Sequence, residues 1–257
     1  MTQKLTALLL TGLLFTACDD IWDRNIDGNG NRDIENRSLE SFSSVEINGD
    51  FEVQIDIGAS SKAVIETDEN LMQYIITHVS GNKLIVEIRD NVNLRPSRPI
   101  EVTVTTPAVD QIELNGSGYV YCYELETEEL SVHLAGSGQI EFYNAVASSA
   151  ELELDGSGFI RGELYVENLT TKIAGSGEIR LEGTSVNTNH KIVGSGRINA
   201  DEVIAEVSTV YISGSGIIDT YASEALDVTI IGSGIVYYEG NADLDSYISG
   251  SGKVIKR

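Results

Sequence analysis

Eight copies of Gly-Ser-Gly are the residues whose types and spacing come closest to a chemical motif. Glycine-rich loops can bind phosphate through backbone N–H groups, but such a loop lies between a strand and a helix with a lysine nearby. Calcium-binding nonapeptide repeats need an aspartate two residues after their last glycine. Here that position holds valine or isoleucine in every copy. The motif therefore predicts neither a phosphate site nor a calcium site.

The other residues with catalytic or metal-binding potential are isolated. His190 occupies an inward-facing position without a second histidine, cysteine or acid on its face, and His78 and His133 also stand alone. Cys122 falls on an inward position, which favours a small buried core residue over a nucleophile. The sequence predicts no catalytic residue, no cofactor-binding residue and no metal ligand.

The spacing of the motif indicates the architecture that carries it. The steps between successive copies are 18–20 residues, and a fixed period of this size is typical of a solenoid in which each repeat is one coil. The first glycines of the eight copies are Gly116, Gly136, Gly156, Gly175, Gly194, Gly214, Gly232 and Gly250.

Aliphatic residues recur at fixed distances from each motif. The residue two before the first glycine and the residue four after it are aliphatic in all eight repeats, and they alternate with polar residues. This alternation predicts strands with one buried face on both sides of the motif. A weaker third apolar group completes the coil. We predict an all-β fold, a three-sided parallel β-helix with about 20 residues per coil.

Glycine at one recurrent corner indicates either a backbone that needs positive φ or coils that approach too closely for a Cβ. The serine between the glycines could form a ladder along the solenoid, each hydroxyl bonding to a neighbouring coil or to water.

The region before the repeats looks like a degenerate copy of them. Residues 45–53 align with residues 112–120, with Gly-Asp-Phe in place of Gly-Ser-Gly. Residues 68–77 could be a short helix, and Ser80-Gly81-Asn82 predicts a hairpin turn. We expect one folded domain over 39–257, with degenerate coils over 39–106 and Gly-Ser-Gly repeats over 107–257.

The N-terminal residues resemble a bacterial lipoprotein signal. Lys4 precedes an apolar stretch that is too short to span a membrane, and small residues lead into Cys18. Residues 1–17 are predicted to be a signal peptide, with Cys18 lipidated and residues 18–38 forming an acidic flexible tether. An ordinary secretory signal with a chance cysteine is the alternative.

Charge limits the range of partners. The chain has 17 lysines and arginines against 40 aspartates and glutamates, a net charge of −23. Nucleic acid and anionic lipid surfaces would be repelled. Cys122 is the only cysteine besides Cys18, so no intramolecular disulfide can form once Cys18 is lipidated.

Outward positions near the C-terminal end are unusually apolar, which marks a candidate interaction patch; loops folding over these residues are the alternative. The last strand edge is expected to be open, either guarded by its three basic residues or covered by a partner subunit. The patch comprises Tyr211, Ile217, Ile231, Ile235, Tyr237 and Tyr247.

Three segments occur in a recognisable order: residues 42–53, residues 68–71 (Asp-Glu-Asn-Leu), and Pro107 followed by residues 112–118. In sequence and spacing they resemble the "putative auto-transporter adhesin, head GIN domain" family. The resemblance covers nearly all of the chain after the signal. It implies a right-handed single-stranded β-helix and provides no catalytic or binding residues.

We expect a non-enzymatic cell-envelope lipoprotein that serves as an adhesin or binding scaffold for a protein or glycan, and a homo-oligomer is possible. Its acidic residues after Cys18 favour the surface of the outer membrane over a periplasm-facing position. One alternative is a carbohydrate-active β-helix protein, but the outward positions hold single charges, such as Arg161 and Arg180, and no carboxylate pair. The other is a periplasmic structural protein without an external ligand.

Overall fold

The computed structural model describes residues 24–257. The predicted signal peptide, Cys18 and residues 18–23 of the predicted tether lie outside the described residues. The strands of residues 24–257 are β1 (Arg24–Asp27), β2 (Arg32–Ser38), β3 (Ser44–Asn48), β4 (Glu52–Ile57), β5 (Lys62–Asp68), β6 (Ile75–Ser80), β7 (Lys83–Ile88), β8 (Val92–Arg95), β9 (Glu101–Thr106), β10 (Gln111–Gly116), β11 (Tyr119–Cys122), β12 (Leu125–Glu126), β13 (Glu129–Gly136), β14 (Gln139–Gly156), β15 (Phe159–Gly175), β16 (Glu178–Gly194), β17 (Arg197–Gly214), β18 (Ile217–Tyr221), β19 (Ala225–Gly232), β20 (Ile235–Glu239), β21 (Asp243–Gly250) and β22 (Lys253–Lys256).

These strands form the predicted parallel β-helix, with about 20 residues per coil over about 7 turns. The longest strands, β14 to β17, each follow all three sides of a coil and pair in parallel with the coils before and after. Along β14 the inward residues of the three sides are buried, and they alternate with exposed or half-buried residues. Stacking these inward residues from coil to coil produces one continuous apolar core.

The degenerate N-terminal coil has the register that the sequence alignment predicted. Val45 pairs with Ile112 and Ile47 with Leu114, and after the corner Val53 pairs with Val120. The predicted hairpin is present, since β6 and β7 are antiparallel around Ser80–Lys83. The possible short helix is a single 3-10 turn, Met72–Tyr74. No helix among the described residues is long and apolar enough to cross a membrane.

The Gly-Ser-Gly corner needs glycine for both of the reasons that the sequence suggested. Gly116 has a φ of +141°, and a Cβ there would lie 2.7 Å from the carbonyl oxygen of Gly49 in the preceding coil. The carbonyl oxygen of Gly116 occupies the corresponding position one coil later. There it accepts hydrogen bonds from the N–H groups of both Ser137 and Gly138, at 3.0 Å. Backbone hydrogen bonds therefore connect the corners.

The serine side chains of the corners are exposed. Among the residues that the structure describes, the only pair of corner serine hydroxyls within hydrogen-bond distance is Ser233 and Ser251, at 3.0 Å. Hydroxyl bonding between the described coils is therefore limited to this pair, and from Ser137 onward the serine N–H makes the contact with the neighbouring coil.

The flexible tether predicted over 18–38 is wrong for residues 24–38. β1 pairs in parallel with β8, and β2 pairs antiparallel with β5 along its whole length. The polar side chains of β2 cannot form a core. Its backbone instead forms hydrogen bonds with the N–H and C=O groups at the edge of β5, a strand whose residues Ala63 and Ile65 are buried. Backbone pairing with a fixed edge orders a segment that its composition alone would leave unfolded.

The C-terminal end of the solenoid is open, as predicted. β21 and β22 pair on one side with β19 and β20, and no further strand of the described chain covers them. Leu244 is therefore 42% exposed, although Leu226 in the same position of the preceding coil is fully buried.

Candidate functional site

The strands that follow each Gly-Ser-Gly corner present one outer surface, which we call face A. Parallel in-register pairing aligns its side chains in two rows along the solenoid. The first row is Tyr119, Gln139, Phe159, Glu178, Arg197, Ile217, Ile235 and Lys253. The second row is Tyr121, Glu141, Arg161, Arg180, Asn199, Asp219, Tyr237 and Ile255.

The six residues of the predicted interaction patch do not lie on one surface. Ile217, Ile235 and Tyr237 belong to face A. The other three lie before the corner, on the surface that we call face C, where Tyr211, Thr229 and Tyr247 follow each other in register and Ile231 stands between Ser213 and Ser249. The Gly-Ser-Gly corner separates the two groups.

Basic side chains cover part of the predicted patch. The guanidinium of Arg257 lies 4.1 Å from the ring centroid of Tyr237, and the ammonium of Lys191 lies 5.7 Å from that of Tyr211. Both distances are within the range of cation–π contacts. The most exposed members are Tyr247, at 64%, and Ile231, at 44%.

Face A carries a tyrosine cluster that the sequence interpretation missed. The rings of Tyr119 and Tyr121 are stacked with centroids 5.3 Å apart, Tyr121 meets Tyr123 edge-on at 5.7 Å, and Tyr123 stacks on Tyr143 at 5.7 Å. The signal was present in the sequence, because tyrosine alternates with another residue from Tyr119 to Tyr123, and Tyr143 comes one 20-residue period after Tyr123. Tyr123 is 58% exposed, so the cluster remains accessible.

Glu141 lies between these rings. The Tyr143 hydroxyl donates to its Oε2 at 2.6 Å, and Gln139 donates to its Oε1. Burial raises the pKa of Glu141, but hydrogen bonds from Tyr143, Tyr119 and Gln139 outweigh it, so the net pKa is lowered. Burial and the Glu141 carboxylate together raise the pKa of Tyr119. The cluster thus combines aromatic rings with a carboxylate that is held charged.

Beside this cluster, further toward the C-terminal end, face A contains a polar groove of about 390 Å³. Four arginines and four acids line it, together with Asn199, Gly162 and Leu181. The charged residues are Arg161, Arg180, Arg197, Arg257, Glu182, Asp201, Glu202 and Asp219.

Asp219 anchors two of the arginines. Its carboxyl group is buried, with Oδ2 3.0 Å from Arg197 Nη1 and Oδ1 2.8 Å from Arg257 Nη1. Burial raises the pKa of Asp219 and outweighs the two arginines, which lower it. Arg257, expected to guard the open edge, instead folds back onto face A and closes one end of the groove.

None of the isolated residues of the sequence analysis lines this groove. His190 is fully buried, and burial lowers its pKa to about 4. Cys122 is a buried core residue as predicted, and burial raises its pKa to about 11. His133 is not alone, because its Nε2 lies 3.2 Å from Asp155 Oδ2. Over residues 24–257 there is no group of three metal-ligating side chains.

Three solved structures resemble this chain closely in fold. A "putative lipid binding protein" from Parabacteroides distasonis is 28% identical with a TM-score of 0.87, covering 91% of this chain and 100% of its own. A "putative adhesin" from Parabacteroides merdae is 20% identical with a TM-score of 0.86, covering 91% and 99%. A second "putative adhesin" from P. distasonis is 18% identical with a TM-score of 0.84, covering 91% and 100%.

No curated protein matches the chain. A family model does match it over residues 41–160 and 144–242, which span most of the solenoid. The resemblance of the sequence to this family is thereby confirmed. The chain belongs to the family described as "Putative auto-transporter adhesin, head GIN domain".

Proposed function

We propose that the protein is a non-enzymatic lipoprotein adhesin of the outer membrane that presents face A to a ligand outside the cell. Membership of an adhesin family supports a binding role in the cell envelope. The observation that carries the proposal is the composition of face A, where an accessible tyrosine cluster adjoins a groove with four arginines. Aromatic and arginine side chains are the ones most enriched in binding surfaces.

The solenoid suits such a role because it is rigid. Each coil is hydrogen-bonded to the next along its sides, so the side chains of face A are held at the ~4.8 Å spacing of neighbouring strands. A ligand therefore meets a preorganised surface, which lowers the entropy cost of binding.

The lipid anchor would keep this surface close to the membrane. Arg24, where β1 begins, is only six residues after Cys18. Six fully extended residues reach roughly 20 Å. The solenoid would therefore stand near the membrane, with its own length providing the reach toward a partner.

Protease treatment of intact cells tests the location, with a known periplasmic lipoprotein as control. We expect the protein to be digested while the control survives, and a Cys18→Ala variant to leave the membrane fraction. Survival of both proteins would contradict surface exposure and favour the periplasm-facing alternative. Adhesion of cells with and without the gene then tests the binding role.

A further inference from the structure

We infer that the groove of face A binds the carboxylate of an acidic sugar within a glycan, with the adjoining aromatic rings packing against the sugar. This inference rests on the proposed binding function and specifies its ligand. The groove lies beside the tyrosine cluster, and its residues belong to neighbouring coils of the same face.

Arg161 and Arg180 provide the first argument. They are direct neighbours in the parallel register of β15 and β16, and like charges placed side by side on a sheet destabilise it. The nearest acid to Arg161 is Glu182, at 3.9 Å. Arg180 makes a single hydrogen bond, from Nη2 to Glu178 at 2.8 Å. A carboxylate between the two guanidinium groups would relieve their repulsion.

Most N–H donors of these two guanidinium groups have no acceptor within the described part of the protein. An arginine has five N–H donors in a planar fork that matches a carboxylate in two parallel hydrogen bonds. Within residues 24–257, Arg161 donates no hydrogen bond to the protein and Arg180 donates only the one to Glu178. Both side chains are about half exposed. Their donors are therefore directed to solvent or to a ligand.

The far wall of the groove is fixed before any ligand arrives. Arg197 and Arg257 are held by the buried carboxyl group of Asp219, and Arg257 also rests on the ring of Tyr237. Four arginines among the 17 basic residues of a chain with net charge −23 are thus concentrated at one groove.

The acids of the groove indicate which anion fits. Glu182, Asp201, Glu202 and Asp219 balance the four arginines, so a polyphosphate would meet strong repulsion from nearby carboxylates. A sugar has one carboxylate per residue at most and many hydroxyl groups. Carboxylate and amide side chains such as Asp201 and Asn199 can accept or donate hydrogen bonds to those hydroxyls.

Aromatic rings stand at the border of the groove. Phe159 lies two residues before Arg161 on the same face of β15, and Glu141, which holds Tyr143, is the register neighbour of Arg161. The C–H face of a pyranose ring is apolar and packs on such rings, which adds affinity without requiring a further charge.

Calorimetric titration of the full-length chain in detergent tests the inference at low ionic strength. The probes are trigalacturonate and the same trimer with its carboxylates methyl-esterified, with sialyllactose as a second acidic sugar. We expect the acidic trimer to bind and the ester to bind at least about tenfold more weakly, because bidentate arginine contacts need a charged carboxylate. Tighter binding of sialyllactose than of trigalacturonate would identify sialic acid, rather than a uronic acid, as the acidic sugar.

A double variant locates the site. Arg161→Gln with Arg180→Gln should weaken the binding of the acidic probe by about tenfold or more, whereas Arg98→Gln, an exposed arginine in the N-terminal part, should leave it unchanged. Equal affinity for acid and ester, no binding of either acidic sugar, or an unaffected double variant would each overturn the inference. If the double variant still supports cell adhesion that is lost with the gene, the proposed function stands and the acidic-sugar site falls.

Discussion

The Oγ1 atom of Thr171 and the Nδ1 atom of His190 lie 2.8 Å apart inside the solenoid core, in neighbouring coils. Both side chains are fully buried in a row that continues as Val210 in the next coil. The Nε2 atom of His190 has no hydrogen-bond partner among the described residues. The core therefore holds a neutral imidazole with half of its polar atoms unsatisfied.

This histidine should make stability depend on pH. Burial lowers its pKa from 6.5 to about 4, so between these values the unfolded chain binds more protons than the folded one. Stability should be full above pH 6.5 and should fall, by up to about 3 kcal/mol, as the pH decreases toward 4. Urea denaturation at several pH values measures this.

Replacing both partners isolates the effect. Thr171→Val with His190→Val removes the buried polar pair without leaving either group alone, and should remove the part of the stability loss between pH 6.5 and 4 that this histidine causes. His133→Gln, at a more exposed histidine, is the control and should retain it. An unchanged pH profile in the double variant would assign the effect to other groups.

The corner glycines should tolerate no side chain. Gly175 has a φ of +132°, and a Cβ there would overlap the carbonyl oxygen of Gly156. Gly175→Ala should cost about 2 kcal/mol or more, because backbone strain and steric overlap add. Ser176→Ala, at the exposed neighbouring position, should change stability by less than about 0.5 kcal/mol. Thermal denaturation compares the two; equal melting temperatures would refute the close approach of the coils.

The open end predicts a contrast between two leucines in one register position. Leu226→Ala should cost about 2–5 kcal/mol because it leaves a cavity, whereas Leu244→Ala should cost less than about 1 kcal/mol because Leu244 is 42% exposed. Chemical denaturation at several protein concentrations measures both. A large, concentration-dependent loss for Leu244→Ala would mean that a second copy of the chain covers this end.

Asp68 should hold the N-terminal strands in place. Its buried carboxylate accepts hydrogen bonds from Gly30 N (2.8 Å), Ser97 N (2.8 Å) and Ser97 Oγ (2.7 Å). Burial alone would raise the pKa of Asp68. The hydrogen bonds from these donors lower the pKa by a larger amount, so it lies below its ordinary value of 3.8. The stabilisation is thus present above pH 3.8 and lost as the pH falls through the lower folded value.

Asp68→Asn should therefore loosen residues 24–38, at a cost of about 1–3 kcal/mol. Hydrogen exchange of the β1 and β2 amides measures this at pH 7, with Glu69→Gln at an exposed neighbouring site as the control. Faster exchange confined to the Asp68 variant is expected. If both variants exchange like the parent chain, the strands are held by backbone pairing alone.

Repetition made most of the fold predictable. The aliphatic row two residues before the corner recurs in all eight repeats, so the register of Ile47 with Leu114 could be deduced by aligning residues across coils. Residues 24–38 lack such a row, and their order depends on the free edge of β5, which is formed by residues distant in sequence. The composition of residues 24–38 alone could not show that β2 would pair with β5.

The candidate site was harder to predict because it depends on contacts between rows. Tyr123 and Tyr143 are one period apart and keep that offset. At the groove the register shifts instead, between Phe142 and Ala145 where β14 pairs with β15, and between Arg180 and Glu182 where β16 pairs with β17. The position of Arg257 depends on a side chain that folds back across Tyr237. Neither feature follows from periodicity.

Backbone hydrogen bonding between neighbouring coils determines how the molecule would respond to tension. Pulling on the two chain ends loads one coil at a time, since the backbone hydrogen bonds of the described coils join each coil to its immediate neighbours. The C-terminal coil, with a neighbour on one side only, would peel first. Each coil of 18–20 residues would release roughly 65 Å of extended chain. Such a solenoid would lengthen in discrete steps under load, which would dissipate work before its attachment fails.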